Sequence, residues 1–148
     1  MTKILSGFGT VVTLIASNTF PIGIPLTEFA DDIDPFDLPS LNIAETSMGL
    51  NGEQLAWAKP NPIKLTIGVV PFSAEDISLG ILFEANRVGK GKQGARDIIT
   101  ITVVYPNFDF VTFSSGIITD GMPANSVSSS SRIKSKNYGF SFQNKTGI

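Results

Sequence analysis

Four closely spaced aspartates are the side chains of this sequence best suited to binding a metal ion. They are Asp31, Asp32, Asp34 and Asp37. Carboxylate oxygens are the ligands that Ca²⁺ prefers, but the spacing is not that of an EF-hand, and the segment lacks the loop glycine and the distal glutamate. We therefore predict no metal site, and interpret residues 26–39 as an exposed acidic loop or as a segment that becomes ordered against a neighbouring molecule.

A basic, glycine-rich segment at residues 89–96 is the second candidate, because glycine backbone and lysine together can hold a phosphate. It follows a predicted helix instead of preceding one, and it lacks the Gly-Lys-Ser/Thr ending of a P-loop. We predict a flexible, solvated loop with no bound cofactor.

Histidine and cysteine are both absent from the chain. Their absence excludes Ser-His and Cys-His nucleophiles, disulfides and cysteine-based zinc sites. Glu75, Asp76 and Glu84 are explained by capping and solvation of one helix. We expect no catalytic residue, and an enzyme that uses only carboxylates would be marked by a raised carboxyl pKa in a cleft.

Charge is distributed unevenly along a chain whose net charge is only −2. Residues 1–60 hold two basic and seven acidic groups, and the rest holds nine basic and six acidic groups. The net charge predicts no general affinity for nucleic acid. The asymmetry suits head-to-side association between copies, or else marks two separately solvated regions. No apolar run approaches the roughly 18 residues of a membrane span, so we expect no membrane insertion.

The centre of the chain predicts one strand followed by the only helix. Apolar residues alternate over residues 63–70, which is typical of a strand with one buried face. Ser73 and Asp76 then have the spacing of a capping box that opens a helix over residues 73–87. Ile77, Ile81 and Ala85, with Leu82 and Val88 beside them, form a stripe that we expect to pack on a sheet.

The remaining segments are predicted to be short strands. They cover residues 11–17, 19–24, 41–46, 53–58, 97–105, 108–113, 117–119 and 138–143. Prolines should keep the second of them short or at an edge. Residues 132–142 cannot form one straight strand without placing three cations and three aromatics on one face. Together these features predict a mainly-β domain spanning residues 1–148: a β-sandwich or partly closed β-barrel flanked by one α-helix.

An extended hairpin is predicted around Leu50, Asn51 and Gly52, because Asn-Gly suits turn positions with positive φ. Trp57, the only tryptophan, lies on its returning strand. With no polar partners nearby, it is interpreted as a core or interface anchor and not as a stacking platform for a ligand.

The chain resembles the tail tube proteins of contractile-tailed bacteriophages. The resemblance lies in AETSMGLNG at residues 44–52, AWAK at 56–59, IKLTI at 63–67, and PFS at 71–73 with the helix to Leu82. It implies a non-enzymatic virion protein, assembled in the bacterial host cytoplasm, whose hexameric rings stack into the inner tube of a contractile tail. Sheath, baseplate and tail terminator proteins are the implied partners.

In such a tube the genome passes through without specific binding, and an acidic lumen would suit this because like charges do not trap DNA. The resemblance makes the hairpin and the acidic loop contact elements between subunits. The predicted contact residues are Asp31, Asp32, Asp34, Phe36, Leu50, Asn51, Gly52 and Trp57.

Three alternatives remain open from the sequence. The first is another tail part on a related fold: a tail terminator, a baseplate component or the tube of a secretion system. The second is a carbohydrate-binding β-sandwich using Trp57, Tyr105 and Tyr138. The third is the carboxylate-only enzyme.

Overall fold

The computed structural model describes residues 9–27, 29 and 35–147. Within these ranges the chain forms nine strands and one helix. The elements are β1 Val11–Ala16, β2 Phe20–Leu26, β3 Phe36–Asp37, β4 Ala44–Met48, β5 Gln54–Ala58, β6 Ile63–Val69, α1 Ala74–Asn86, β7 Ile99–Val104, β8 Phe110–Asp120 and β9 Lys136–Gly147.

Seven strands form one antiparallel sheet in the order β2-β1-β7-β8-β9-β6-β3, which curls into a half-barrel. The end strands β2 and β3 do not pair with each other, so the sheet stays open. The predicted class, a mainly-β and partly closed barrel with one helix, is confirmed. The edge position predicted for the proline-bearing second strand is also confirmed, since β2 has a partner on one side only.

Alternation along the strands places the core on one face of this sheet. Buried positions recur at every second residue, as in Val12, Leu14 and Ala16 of β1. The helix adds Leu79 and Leu82 to the same cluster. The other buried members are Leu26, Leu65, Ile67, Val69, Ile99, Ile101, Val103, Val111, Phe113, Tyr138, Phe140 and Phe142.

The start of α1 confirms half of the predicted capping box. Ser73 Oγ accepts a 3.1 Å hydrogen bond from the Asp76 backbone N–H. The Asp76 carboxylate does not return the bond to Ser73; it accepts from the N–H of Phe72, at 3.0 Å. Phe72 has a φ of 64°, and the bend at this residue turns its N–H toward the carboxylate.

Most of the α1 stripe that was predicted to pack on the sheet faces outward, and Leu82 is its buried member. Ile77 and Ile81 are 59% and 52% exposed, whereas Glu75 and Asp76 are buried beside Leu79 and Leu82. The prediction was wrong because the helix has apolar residues on both sides, so periodicity alone does not identify the face that meets the sheet.

Two further predictions changed near the C-terminal half of the sheet. The predicted strands at 108–113 and 117–119 are one strand, β8, which continues through a bulge where Ser115 has a φ of 54°. Residues 132–135 precede β9, so the first half of the predicted long strand lies outside the sheet, one of the two outcomes expected.

The basic loop after α1 is attached to the helix and does not hang loose. The Lys92 ammonium donates to the backbone carbonyls of Glu84 and Arg87, and the Ala95 N–H donates to Ala85 O at 2.8 Å. Lys92 thereby satisfies carbonyls at the helix C-terminus, where a cation is also favoured by the helix dipole.

Candidate assembly surfaces

Strands β4 and β5 form a separate two-stranded sheet, which we call the arm. Register divides it into two faces. Glu45 lies opposite Trp57 and Ser47 opposite Leu55 on one face, while Thr46 lies opposite Ala56 on the other. The first face therefore carries the bulky apolar side chains Trp57 and Leu55 beside the charged Glu45. The second face is uncharged and also holds the pairs Ala44–Ala58 and Met48–Gln54.

The arm is exposed on both faces along the described chain. Trp57 is 52% exposed and Leu55 55% exposed, and Leu50 at the turn is fully exposed. Every residue of β5 is exposed. A two-stranded ribbon is at best marginally stable alone in water, so an arm of this kind needs a surface to pack against.

The base of the arm is held by polar contacts. The Lys59 ammonium lies 3.5 Å from Oε1 of Glu45, and Asn61 Nδ2 donates to Asn42 O at 2.8 Å. The Lys59 N–H also donates to Ile43 O at 2.9 Å. These contacts close the ribbon where it leaves the sheet, so the arm projects from a fixed base.

The sheet face opposite the core carries a row of threonines. Register aligns Thr13 with Thr102, Thr102 with Thr112, and Thr112 with Thr146, across four neighbouring strands. The hydroxyls of Thr102 and Thr112 lie 3.4 Å apart. We call this set the threonine row.

The rows beside the threonine row are also uncharged. Val11 lies opposite Val104 and Ile15 opposite Thr100, and Val104 continues to Phe110. Charged side chains on this sheet face lie further along: Lys64 lies opposite Ser141, Asp120 opposite Gly139 and Asp37 opposite Thr66. This part of the face offers hydroxyl and apolar groups and no formal charge.

The two edges of the half-barrel differ. The β2 edge contains Pro21 and Pro25, which lack the N–H needed to extend a ladder. At the other end, β3 pairs with β6 only through Phe36 with Ile67 and Asp37 with Thr66. Residues 63–65 of β6 have no ladder partner on that side among the described residues.

Asp76 is the centre of a buried polar cluster between α1 and β9. Its Oδ1 accepts a 3.0 Å hydrogen bond from the Tyr138 hydroxyl and lies 3.4 Å from the Lys136 ammonium. Burial, and then the charge of Asp76, raise the pKa of Tyr138 far above its usual range. The phenol therefore stays a donor, and the cluster fixes the helix to the sheet.

Asp97 forms a second buried polar centre. It accepts from the backbone N–H groups of Asn18 and Thr19 at 2.7 and 2.9 Å, and from Asn86 Nδ2 at 2.8 Å. Burial opposes ionisation, but these bonds and that of the Thr19 hydroxyl outweigh it, so the pKa of Asp97 lies below its usual range. The carboxylate joins the β1–β2 turn, the end of α1 and the start of β7.

No group of three or more acidic side chains that could hold a metal occurs among the described residues. Glu75 is 8% exposed, and its Oε1 accepts a 2.9 Å bond from the Thr27 hydroxyl. Within the described ranges, no helix is long and apolar enough to cross a membrane.

The predicted contact residues lie in three places. Asp31, Asp32 and Asp34 are outside the described residues. Phe36 lies in β3 and packs partly against the core. The remaining four belong to the arm: Leu50, Asn51, Gly52 and Trp57. Trp57 is no core anchor, since half of it is exposed, and its role as an interface anchor stays a prediction.

The aromatic surface predicted for carbohydrate binding lacks one of its three side chains. Tyr138 is fully buried, whereas Trp57 lies on the arm, so these aromatics form no shared exposed surface. Sequence reasoning also missed the threonine row and the outward face of α1. The threonines alternate along each strand, but only the strand register aligns them.

A family model described as tail fiber protein gp32 matches residues 3–146, so the chain belongs to that family. No curated protein matches it in sequence. The fold is also similar to chains of known structure, and three of them are described below. Each aligns with the whole length of this chain.

The first is a chain of the anti-feeding prophage (AFP) baseplate, with 12% identity, 97% of that chain covered and a TM-score of 0.60. The second belongs to the extended sheath–tube complex of PVC, an extracellular contractile injection system, with 13% identity, 95% of that chain covered and a TM-score of 0.57. The third belongs to the PVC sheath/tube terminator in the extended state, with 13% identity, 99% of that chain covered and a TM-score of 0.55. The chain thus shares its fold with parts of contractile injection particles.

Proposed function

We propose that this member of the tail fiber protein gp32 family is a non-enzymatic structural component of a contractile tail that assembles into rings around an axial channel. Its open half-barrel is the observation that carries this proposal. An antiparallel sheet with two unjoined ends exposes backbone donors and acceptors, and neighbouring copies in a ring would cover them. The fold shared with chains of sheath–tube and baseplate complexes supports the same assembly.

In this proposal the sheet face that carries the threonine row lines the channel, since α1 and the core occupy the other face. We expected carboxylates on such a surface from the net charge. The threonine row is neutral instead, which also suits passage of DNA, because a wall without cations releases no counterions from the phosphates and gains no affinity.

Stacked hexameric rings that form the inner tube are the arrangement we favour, with sheath, baseplate and terminator proteins as partners in the virion. The arm would join one ring to the next, since it projects from the sheet and lacks a packing surface in its own chain. Assembly would take place in the cytoplasm of the bacterial host.

A single ring at the baseplate or the tube end is the second candidate function. The likeness of the fold to an AFP baseplate chain and to a PVC sheath/tube terminator chain supports it as much as the likeness to the sheath–tube chain supports the tube. The two candidates differ in whether the contact between one ring and the next repeats along the tail axis.

Negative-stain microscopy of the concentrated, purified protein tests both. Hollow tubes of uniform width would support the tube, and isolated rings would support the terminal or baseplate ring. Solid rods without a channel would favour a fibre, in line with the family description. A monomer at all concentrations, with unfolding curves showing a folded chain, would contradict self-driven ring formation.

A further inference from the structure

The outward face of α1 is an apolar surface that the described part of the chain leaves uncovered. At 100° per residue, Ile77, Ile81 and Ala85 lie within a sector of about 80°, while buried Leu79 lies on the opposite side and buried Leu82 lies beside the sector, about 60° from Ala85. Ile77 and Ile81 are both more than half exposed. We call this sector the outer stripe. A helix that is apolar on both sides is normally covered on both sides.

From these observations we propose that the outer stripe of one copy receives the Trp57 face of the arm of another copy. This inference rests on the proposed self-assembly and adds the pair of surfaces that meet. It commits to a second copy because both surfaces expose large apolar side chains that the described residues leave uncovered. The arm face offers Leu55 and Trp57, with Ile43 next to them in register.

The two surfaces agree in length. From Ile77 to Ala85 the helix rises about 12 Å, at roughly 1.5 Å per residue. From Ile43 to Ser47 the arm extends about 13 Å, at roughly 3.3 Å per residue. Side chains of the arm face can therefore cover the whole outer stripe without overhanging it.

Charge gives the docking a direction. Glu53 is exposed beside the turn of the arm, and Lys90 is exposed just after the C-terminal end of α1. With the arm turn pointing toward the end of α1, these charges oppose each other at the rim of the contact. With the arm reversed, Glu53 would lie at the start of the helix, away from Lys90, and this opposition of charges would be lost.

Cross-linking between different copies tests the pairing, because the chain has no cysteine. A Leu55→Cys protein and an Ile81→Cys protein are mixed at assembling concentration and treated with a short bismaleimide. Only contacts between copies can give a heterodimer, since each chain carries one thiol. We expect at least about tenfold more heterodimer than from Leu55→Cys mixed with Ser129→Cys, because docking raises the local thiol concentration to the millimolar range.

A charge exchange provides the second measurement. Glu53→Lys should reduce assembly several-fold, and adding Lys90→Glu to the same chain should restore it, since the opposed pair is re-formed with reversed signs. Lys90→Glu alone should also reduce assembly. Both sites are exposed, so the fold should be preserved, as thermal unfolding would verify.

The outcomes separate this inference from the proposed function. Assemblies that form without Leu55–Ile81 cross-linking above the Ser129 control, or without rescue by the charge exchange, would overturn the docking and leave ring assembly intact. A folded protein that never assembles would overturn both. Cross-linking with rescue in the assembled fraction would establish the contact.

Discussion

The hydroxyl of Tyr138 in β9 donates a 3.0 Å hydrogen bond to Oδ1 of Asp76, a buried carboxylate near the N-terminus of α1. This bond and the nearby Lys136 ammonium fix the position of the helix on the sheet. Because Glu75 and Asp76 turn inward at this point, the next apolar residues of α1, Ile77 and Ile81, turn outward. One polar contact thus determines which face of the helix is available to a partner.

Tyr138→Phe should lower the free energy of unfolding by about 1–3 kcal/mol, because a buried carboxylate loses a donor while the ring is retained. Urea unfolding followed by far-UV circular dichroism measures the loss. Tyr105→Phe is the matched control, since no described hydrogen bond uses the Tyr105 hydroxyl, and it should change stability far less. Equal effects of the two variants would contradict the importance of the Asp76 contact.

Asp97→Asn should remove a pH dependence. The folded-state pKa of Asp97 is lowered, so the carboxylate contributes stability above its unfolded pKa of about 4, and that contribution is lost as pH falls through the folded pKa. The variant should be less stable at pH 7 by about 1–3 kcal/mol, because an amide donor would face the Asn86 amide. Between about pH 5 and pH 3, the range over which aspartates titrate, the variant should also lose less stability than the wild type.

Unfolding curves at a series of pH values measure this effect. Asp109→Asn is the control, because it makes the same substitution and the same change in net charge at an exposed turn. A wild type and an Asp97→Asn variant with parallel pH profiles would disprove the role assigned to Asp97.

Trp57→Ala should shift the protein from assemblies toward monomer while leaving the fold intact. The arm packs on nothing in the described chain, so the substitution should change the free energy of unfolding by no more than about 0.5 kcal/mol. Analytical ultracentrifugation gives the oligomer distribution. Gln54→Ala, on the opposite face of the arm, is the control and should assemble normally; unchanged assembly of Trp57→Ala would refute an anchoring role.

Thr102→Lys should convert a neutral channel wall into one that retains DNA. Each ring would then carry a circle of cations, and bound DNA should be released as salt is raised, because phosphate contacts depend on counterion release. Fluorescence anisotropy with a short double-stranded DNA measures retention by assembled protein. Ser129→Lys adds the same charge on an exposed loop, and equal binding by both variants would argue against threonines lining the channel.

Local patterns in the sequence were sufficient to predict most elements of the fold. Alternation over residues 63–70 and the Ser73 cap identified β6 and the start of α1 to within one residue. The Asn51-Gly52 turn identified the arm. Counting short strands around a single helix predicted a mainly-β domain that is either a β-sandwich or a partly closed barrel, and the structure has the second form.

Contacts between distant residues could not be predicted in the same way. Tyr138 and Asp76 are separated by most of the C-terminal half of the chain, and no local pattern reveals that they meet. The threonine row requires the registers of three strand pairs at once. Ile77 and Ile81 follow the rule for a buried helical stripe, and only the burial of Asp76 shows that the rule selects the wrong side here.

The unlike edges of the half-barrel restrict the symmetry of any edge-to-edge assembly. Two β2 edges cannot form a continuous ladder, because Pro21 and Pro25 leave gaps on both. A twofold dimer that joins identical edges is therefore disfavoured, and β2 pairs best with the different edge presented by residues 63–65. Two molecules joined by such a heterologous contact still leave one edge of each kind unpaired. Every edge is paired only when the row of copies closes into a ring.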